Sequence, residues 1–93
     1  MPKFRVAHLN EQGQDMVVVP MDPSFGQRPL DAQNAIIADL QARSAGAGLK
    51  GTVVVVWESG GRMHFIAPPA WRPFFLSLAM RDVEASINKE LSW

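Results

Sequence analysis

Two short runs, Met16-Val17-Val18-Val19 and Val53-Val54-Val55-Val56-Trp57, restrict the architecture more than anything else in the chain. Consecutive β-branched side chains are crowded in a helix and fit a pleated strand. Because neighbouring strand residues point to opposite sides of a sheet, both runs are apolar front and back. Val17 and Val19 oppose Met16 and Val18, while Val54 and Val56 oppose Val53, Val55 and Trp57. Strands of this kind belong at the centre of a sheet, with water excluded from each side.

Around these runs the chain reads as ββα followed by ββα. Lys3–Leu9 and Met16–Val19 flank a polar, glycine-containing loop and form a first hairpin; Thr52–Trp57 and Arg62–Ile66 flank Glu58-Ser59-Gly60-Gly61 and form a second. A helix is expected from Pro29, with Asp31 in its first turn, an inward side of Leu30, Ile36, Ile37 and Leu40, and stop signals at Gly46 and Gly48. The second helix is expected on the stripe Leu76, Met80, Val83, Ile87 and Leu91, which steps by four, three, four and four. Both helix entries carry Pro-x-aromatic and Arg-Pro-apolar, at Pro23–Leu30 and Pro69–Phe74.

A strand-helix-strand crossover leaves its two strands parallel, so the second and third strands lie side by side and each hairpin adds an outer strand. The expectation is a single α+β domain over residues 1–93, with one four-stranded mixed sheet in the order 1-2-3-4 and two helices. Lys3, Arg5 and Arg62 then fall on the edges, where charge discourages further pairing. If both helices share a face, the other face is an apolar patch that a second copy would cover as a symmetric dimer; if they split, the chain is a three-layer monomer.

With 93 residues there is room for one core. Nine basic and nine acidic residues balance, which leaves no bulk attraction to nucleic acid or to anionic membrane. Zero cysteines exclude disulfides, thiolate metal sites and thiol nucleophiles. The start, Met1-Pro2-Lys3-Phe4-Arg5, lacks an apolar signal core, and charges interrupt every apolar stretch, so a cytoplasmic location without membrane association is expected.

Motifs with chemical meaning are few. Gly46-x-Gly48-x-x-Gly51 has the letters of a dinucleotide fingerprint but leaves a helix and enters a strand, the reverse of the context that receives a pyrophosphate. No cofactor, metal or catalytic residue is assigned. His8 and His64 lie on opposite edge strands in the expected order, ~14 Å apart over three strand spacings. Lys50, Arg62, His64 and Arg72 are the residues a nucleic-acid surface would use, with aromatic rings available for stacking. Trp71, Phe74 and Phe75 cluster among Pro68, Pro69 and Pro73 as a stiff aromatic corner, and together with Trp57, Phe65 and Trp93 they are the candidate interface anchors.

Asp15-Met16-Val17-Val18-Val19-Pro20, Gly61–Pro68 and Pro73-Phe74-Phe75 resemble a group of short betaproteobacterial proteins without an assigned activity. The resemblance implies a cytosolic bacterial protein of this length and brings no residue role with it. The favoured function is a non-catalytic interaction domain that pairs with itself or with another protein, through an apolar sheet face or the aromatic corner. The alternatives are a nucleic-acid-binding module using the edge cations, and a small-ligand protein or enzyme with a histidine-containing site.

Overall fold

The computed structural model describes residues 3–11 and 13–92. Its strands are β1 (Lys3–Glu11), β2 (Gln14–Pro20), β3 (Thr52–Ser59), β4 (Arg62–Ile66) and β5 (Lys89–Ser92), and its helices are α1 (Leu30–Gly46), α2 (Arg72–Leu76) and α3 (Met80–Ala85). The strands form one mixed sheet in the order β4-β3-β2-β1-β5. β2 and β3 run parallel at its centre, and every other neighbouring pair is antiparallel. The expected order of the first four strands is therefore present, with a fifth strand added beyond β1. Lys3 and Arg5 consequently do not lie on an edge strand.

The strand registers divide the core in two. Val17 stands beside His8 and Val53, and Val18 beside Ala7 and Val54. On one face Val6, Val17, Val19, Val53, Val55 and Trp57 pack with Phe25, Leu40 and Leu91; on the other Ala7, Met16, Val18, Val54 and Val56 pack with Phe75 and Val83. α1 covers the first face, and α2 with α3 covers the second. Val17, Val18, Val19, Val54, Val55 and Val56 are all fully buried, each contributing roughly 1.5–3 kcal/mol of burial. The open apolar sheet face that a second copy would have covered is absent, because the helices split between the two sides.

Local chemistry joins α1 to the sheet. Gln41 donates from Nε2 to the Gly51 carbonyl (2.9 Å) and accepts at Oε1 from the Val53 N–H (2.8 Å), a donor that lies beyond the reach of the shorter β4. Gly51 has φ +119°, and a Cβ there would run into the Asp15 backbone, so only glycine suits this entry to β3. Of the expected inward side, Leu40 is buried and Ile36 and Ile37 pack half-buried on the core, whereas Leu30 is 67% exposed; Ser44, not expected there, is buried as well.

The long final helix is the main correction. After α2, the Ser77 hydroxyl donates to the Phe74 carbonyl, and the Ala79 N–H donates to the Asp82 carboxylate to start a separate α3. Beyond α3, the Asn88 side chain accepts from the His8 N–H (2.9 Å) and donates to the His8 carbonyl (3.1 Å), while its own N–H reaches the Val6 carbonyl. These bonds seat β5 on the outer edge of β1. Val83 and Leu91, placed on one helical stripe by their spacing, are buried on opposite faces of the sheet.

Leu40→Ala is expected to cost about 2–5 kcal/mol of stability in urea unfolding, and Leu30→Ala no more than about 0.5 kcal/mol. Asn88→Ala is expected to cost about 1–3 kcal/mol and to speed hydrogen exchange at the His8 amide, because both bonds to that residue's backbone are lost.

Candidate functional site

The aromatic corner follows from the chain's exit from β4. Pro68 and Pro69 hold the backbone extended and then in a 3-10 turn, Pro69–Trp71, and Pro73 lies in the first turn of α2, where its missing N–H costs nothing. Phe75 is driven inward, tilted against Phe65 at 5.5 Å and edge-on to Phe74 at 5.1 Å. Phe74 and Trp71 are left half-buried. Together with Ala70 and Pro73, and with Glu11, Gln14 and Met16 from the first hairpin, they line a groove of about 650 Å³. Leu76, at the end of α2, is 66% exposed. Three residues apart on a helix, Pro73 and Leu76 share a face, so an exposed apolar knob adjoins the groove.

The other candidate anchors are distributed differently. Phe75 is fully buried and Trp57 is a core residue, stacked on His64 at 5.7 Å and edge-on to Phe25 at 5.1 Å. Gly26 lies so close to the Trp57 indole that any Cβ there would strike it. Neither Phe75 nor Trp57 is available to a partner. Phe65 is half-buried on β4, and Trp93 lies outside the described residues.

The nucleic-acid candidates do not assemble. Lys50 precedes β3 and Arg62 follows it, and an eight-residue strand separates them by roughly 26 Å at ~3.3 Å per residue. Arg62 and His64 alternate onto the α1 side, whereas Arg72 opens α2 on the opposite layer. No single groove collects the four.

The histidines also stay apart. His8 sits beside Val17 and His64 beside Trp57, an offset of three strands across and four residues along, or about 20 Å. His8 Nε2 lies 2.7 Å from the Lys50 carbonyl, a bond that ties β1 to the loop before β3. No group of three metal-ligating side chains occurs among the described residues. Gly46, Gly48 and Gly51 lead from α1 into β3, so their order is that of a helix exit. A separate cleft of about 380 Å³ at the carboxyl end of β2 is floored by Met21, Phe25, Ile36 and Leu40, and neither histidine lines it. Its carboxylates are engaged: Asp22 accepts from the Ser24 N–H, and Asp39 pairs with Arg43 at 3.0 Å. No helix among the described residues is long and apolar enough to cross a membrane.

The spacing of Leu76 placed it on a buried stripe and so hid it as a surface feature; what breaks the stripe is the stop at Ser77 and the new start at Ala79, whose N–H the Asp82 carboxylate accepts. Phe75→Ala is expected to lose about 3–5 kcal/mol in urea unfolding, with Trp71→Ala, at a half-buried groove position, losing clearly less. The chain matches no protein-family model, no curated protein and no solved structure.

Proposed function

We propose that this chain is a small non-catalytic interaction domain that forms a homodimer through its aromatic corner. The observation that carries this reading is the pairing of a knob and a groove on one short helix: Leu76 is 66% exposed beside a groove walled by Trp71, Pro73 and Phe74. A two-fold axis brings the same patch of both copies together, so a surface bearing its own protrusion and recess is self-complementary. Leu76 of each copy enters the groove of the other. The prolines keep the walls rigid, which reduces the side-chain entropy lost on association. Aromatic rings held this way are the residue types that dominate interface energetics. A cytoplasmic setting belongs to the same reading and suits a chain without cysteine.

Sedimentation velocity and light scattering over a wide concentration range test the proposal. The expected result is a mass that rises from monomer to dimer, with Leu76→Asp weakening the association by about 30-fold or more, the equivalent of a ~2 kcal/mol anchor. At a position this exposed, the variant should retain the far-ultraviolet spectrum and urea midpoint of the parent. A parent chain that stays monomeric throughout, or a Leu76→Asp chain that associates as before, overturns the proposal.

A further inference from the structure

The two ends of the sheet are treated differently. β5 is four residues long, carries Lys89 and Glu90, and is held to β1 by Asn88. β4 is the other end, and among the described residues no strand lies beyond it. Its sequence is Arg62-Met63-His64-Phe65-Ile66, without proline, and its one formal charge, Arg62, stands at the turn end, where it discourages a basic strand but not an acidic one.

The register settles which backbone groups are free. Gly60 and Gly61, with φ of +62° and +77°, make a two-residue turn in which Ser59 and Arg62 flank the loop. In such a hairpin the flanking residues exchange both hydrogen bonds, and bonding then alternates along the strand. Arg62, His64 and Ile66 therefore bond inward to Ser59, Trp57 and Val55. The other neighbour of β3 agrees, since the Val56 carbonyl turns the opposite way to accept from the Met21 N–H at 2.7 Å. Met63 and Phe65 are left with N–H and carbonyl groups directed away from the sheet.

Side chains along this edge have two characters. Arg62 and His64 are exposed on the α1 side, and Arg62 has no ion-pair partner among the described residues. Met63 and Phe65 are half-buried on the other side, with Glu58 across from Met63. We infer that the β4 edge is a docking site for an extended segment of another protein, added as an antiparallel strand, with acidic residues on the α1 side and apolar residues on the side of Met63 and Phe65. The N–H and carbonyl groups of Met63 and Phe65 supply the main-chain bonds. Arg62 selects the acid, and Glu58 disfavours an acid on the opposite face. A second copy of β4 is a poorer occupant: two-fold pairing centred on His64 opposes the two imidazoles and sets each Arg62 across from Ile66 of the other copy, with no carboxylate opposite it. This inference does not depend on the aromatic-corner dimer, and Leu76→Asp provides a background in which that contact is removed.

The test is amide-shift titration of the Leu76→Asp chain with a short synthetic peptide alternating glutamate and valine. Its controls are the same peptide with lysine for glutamate, and the glutamate peptide N-methylated at alternate amides. Expected are saturable shifts and slowed exchange at the Met63 and Phe65 amides, little response to the lysine peptide, and loss of binding for the N-methylated phase that blocks the paired edge. Arg62→Glu should weaken the glutamate peptide about tenfold and reverse the preference. Met63→Pro, which removes an outward N–H and leaves the β3 bonds in place, should weaken binding without unfolding the sheet. The inference is overturned by any of three results: no saturable shift at these amides, binding indifferent to N-methylation, or amides already protected in the chain alone and exposed on dilution. The last of these identifies a second copy as the occupant.

Discussion

The parallel pairing of β2 and β3 is the constraint on which the rest of this molecule depends. Both strands are apolar on each side, so neither tolerates an open face, and the chain must supply cover twice. α1 provides it above Val17, Val19, Val53 and Val55; Phe75 and Val83, carried by α2 and α3, provide it below Met16, Val18, Val54 and Val56. The crossover that makes the pair parallel also delivers α1 to one face. That leaves the C-terminal third of the chain to close the other.

This division of labour explains why the C-terminal segment is broken into short pieces. A single helix running to Leu91 would cover one face and leave the outer edge of β1 without hydrogen-bond partners. Ending α3 at Ala85 lets Asn88 dock on His8 and places Leu91 in the α1-side core, so one segment contributes to both faces and to an edge. The gain comes from main-chain bonds and burial at once, and it outweighs the local helical preference of the segment. β5 then forms the margin on that side, and β4 forms the other. β4 is followed by Pro68 and Pro69, which turn the chain beneath the sheet and away from the strand it has just made.

The surfaces available for recognition are by-products of these solutions. A rigid, proline-flanked descent from β4 leaves Trp71 and Phe74 half-buried while Phe75 fills the core. The short α2 ends with Leu76 in water. On the far side of the same turn, the β4 edge keeps its outward backbone groups. The corner and the edge differ in chemistry: the corner offers shape and apolar area, the edge offers hydrogen bonds in a fixed register with a cation beside them.

Much of the framework is written locally. Val17–Val19 and Val53–Val56 specify central strands because their side chains alternate without a polar face; Gly60-Gly61 specifies a tight hairpin through positive φ; Pro29 and Gly46 bracket α1. The rest depended on neighbours distant in sequence. Four-three-four-four spacing from Leu76 to Leu91 is as good a helix pattern as the chain contains, yet what seats Asn88 is the backbone of His8, eighty residues away. Trp57 and Phe75 look the same as Trp71 and Phe74 in composition, and only packing made the first two core and the second two surface. Local sequence determined the first four strands and where they turn, since backbone sterics and side-chain alternation act over a few residues. Tertiary structure alone decided which aromatic rings meet water and which strands become the edges of the sheet, since burial and edge pairing depend on what arrives from elsewhere in the chain.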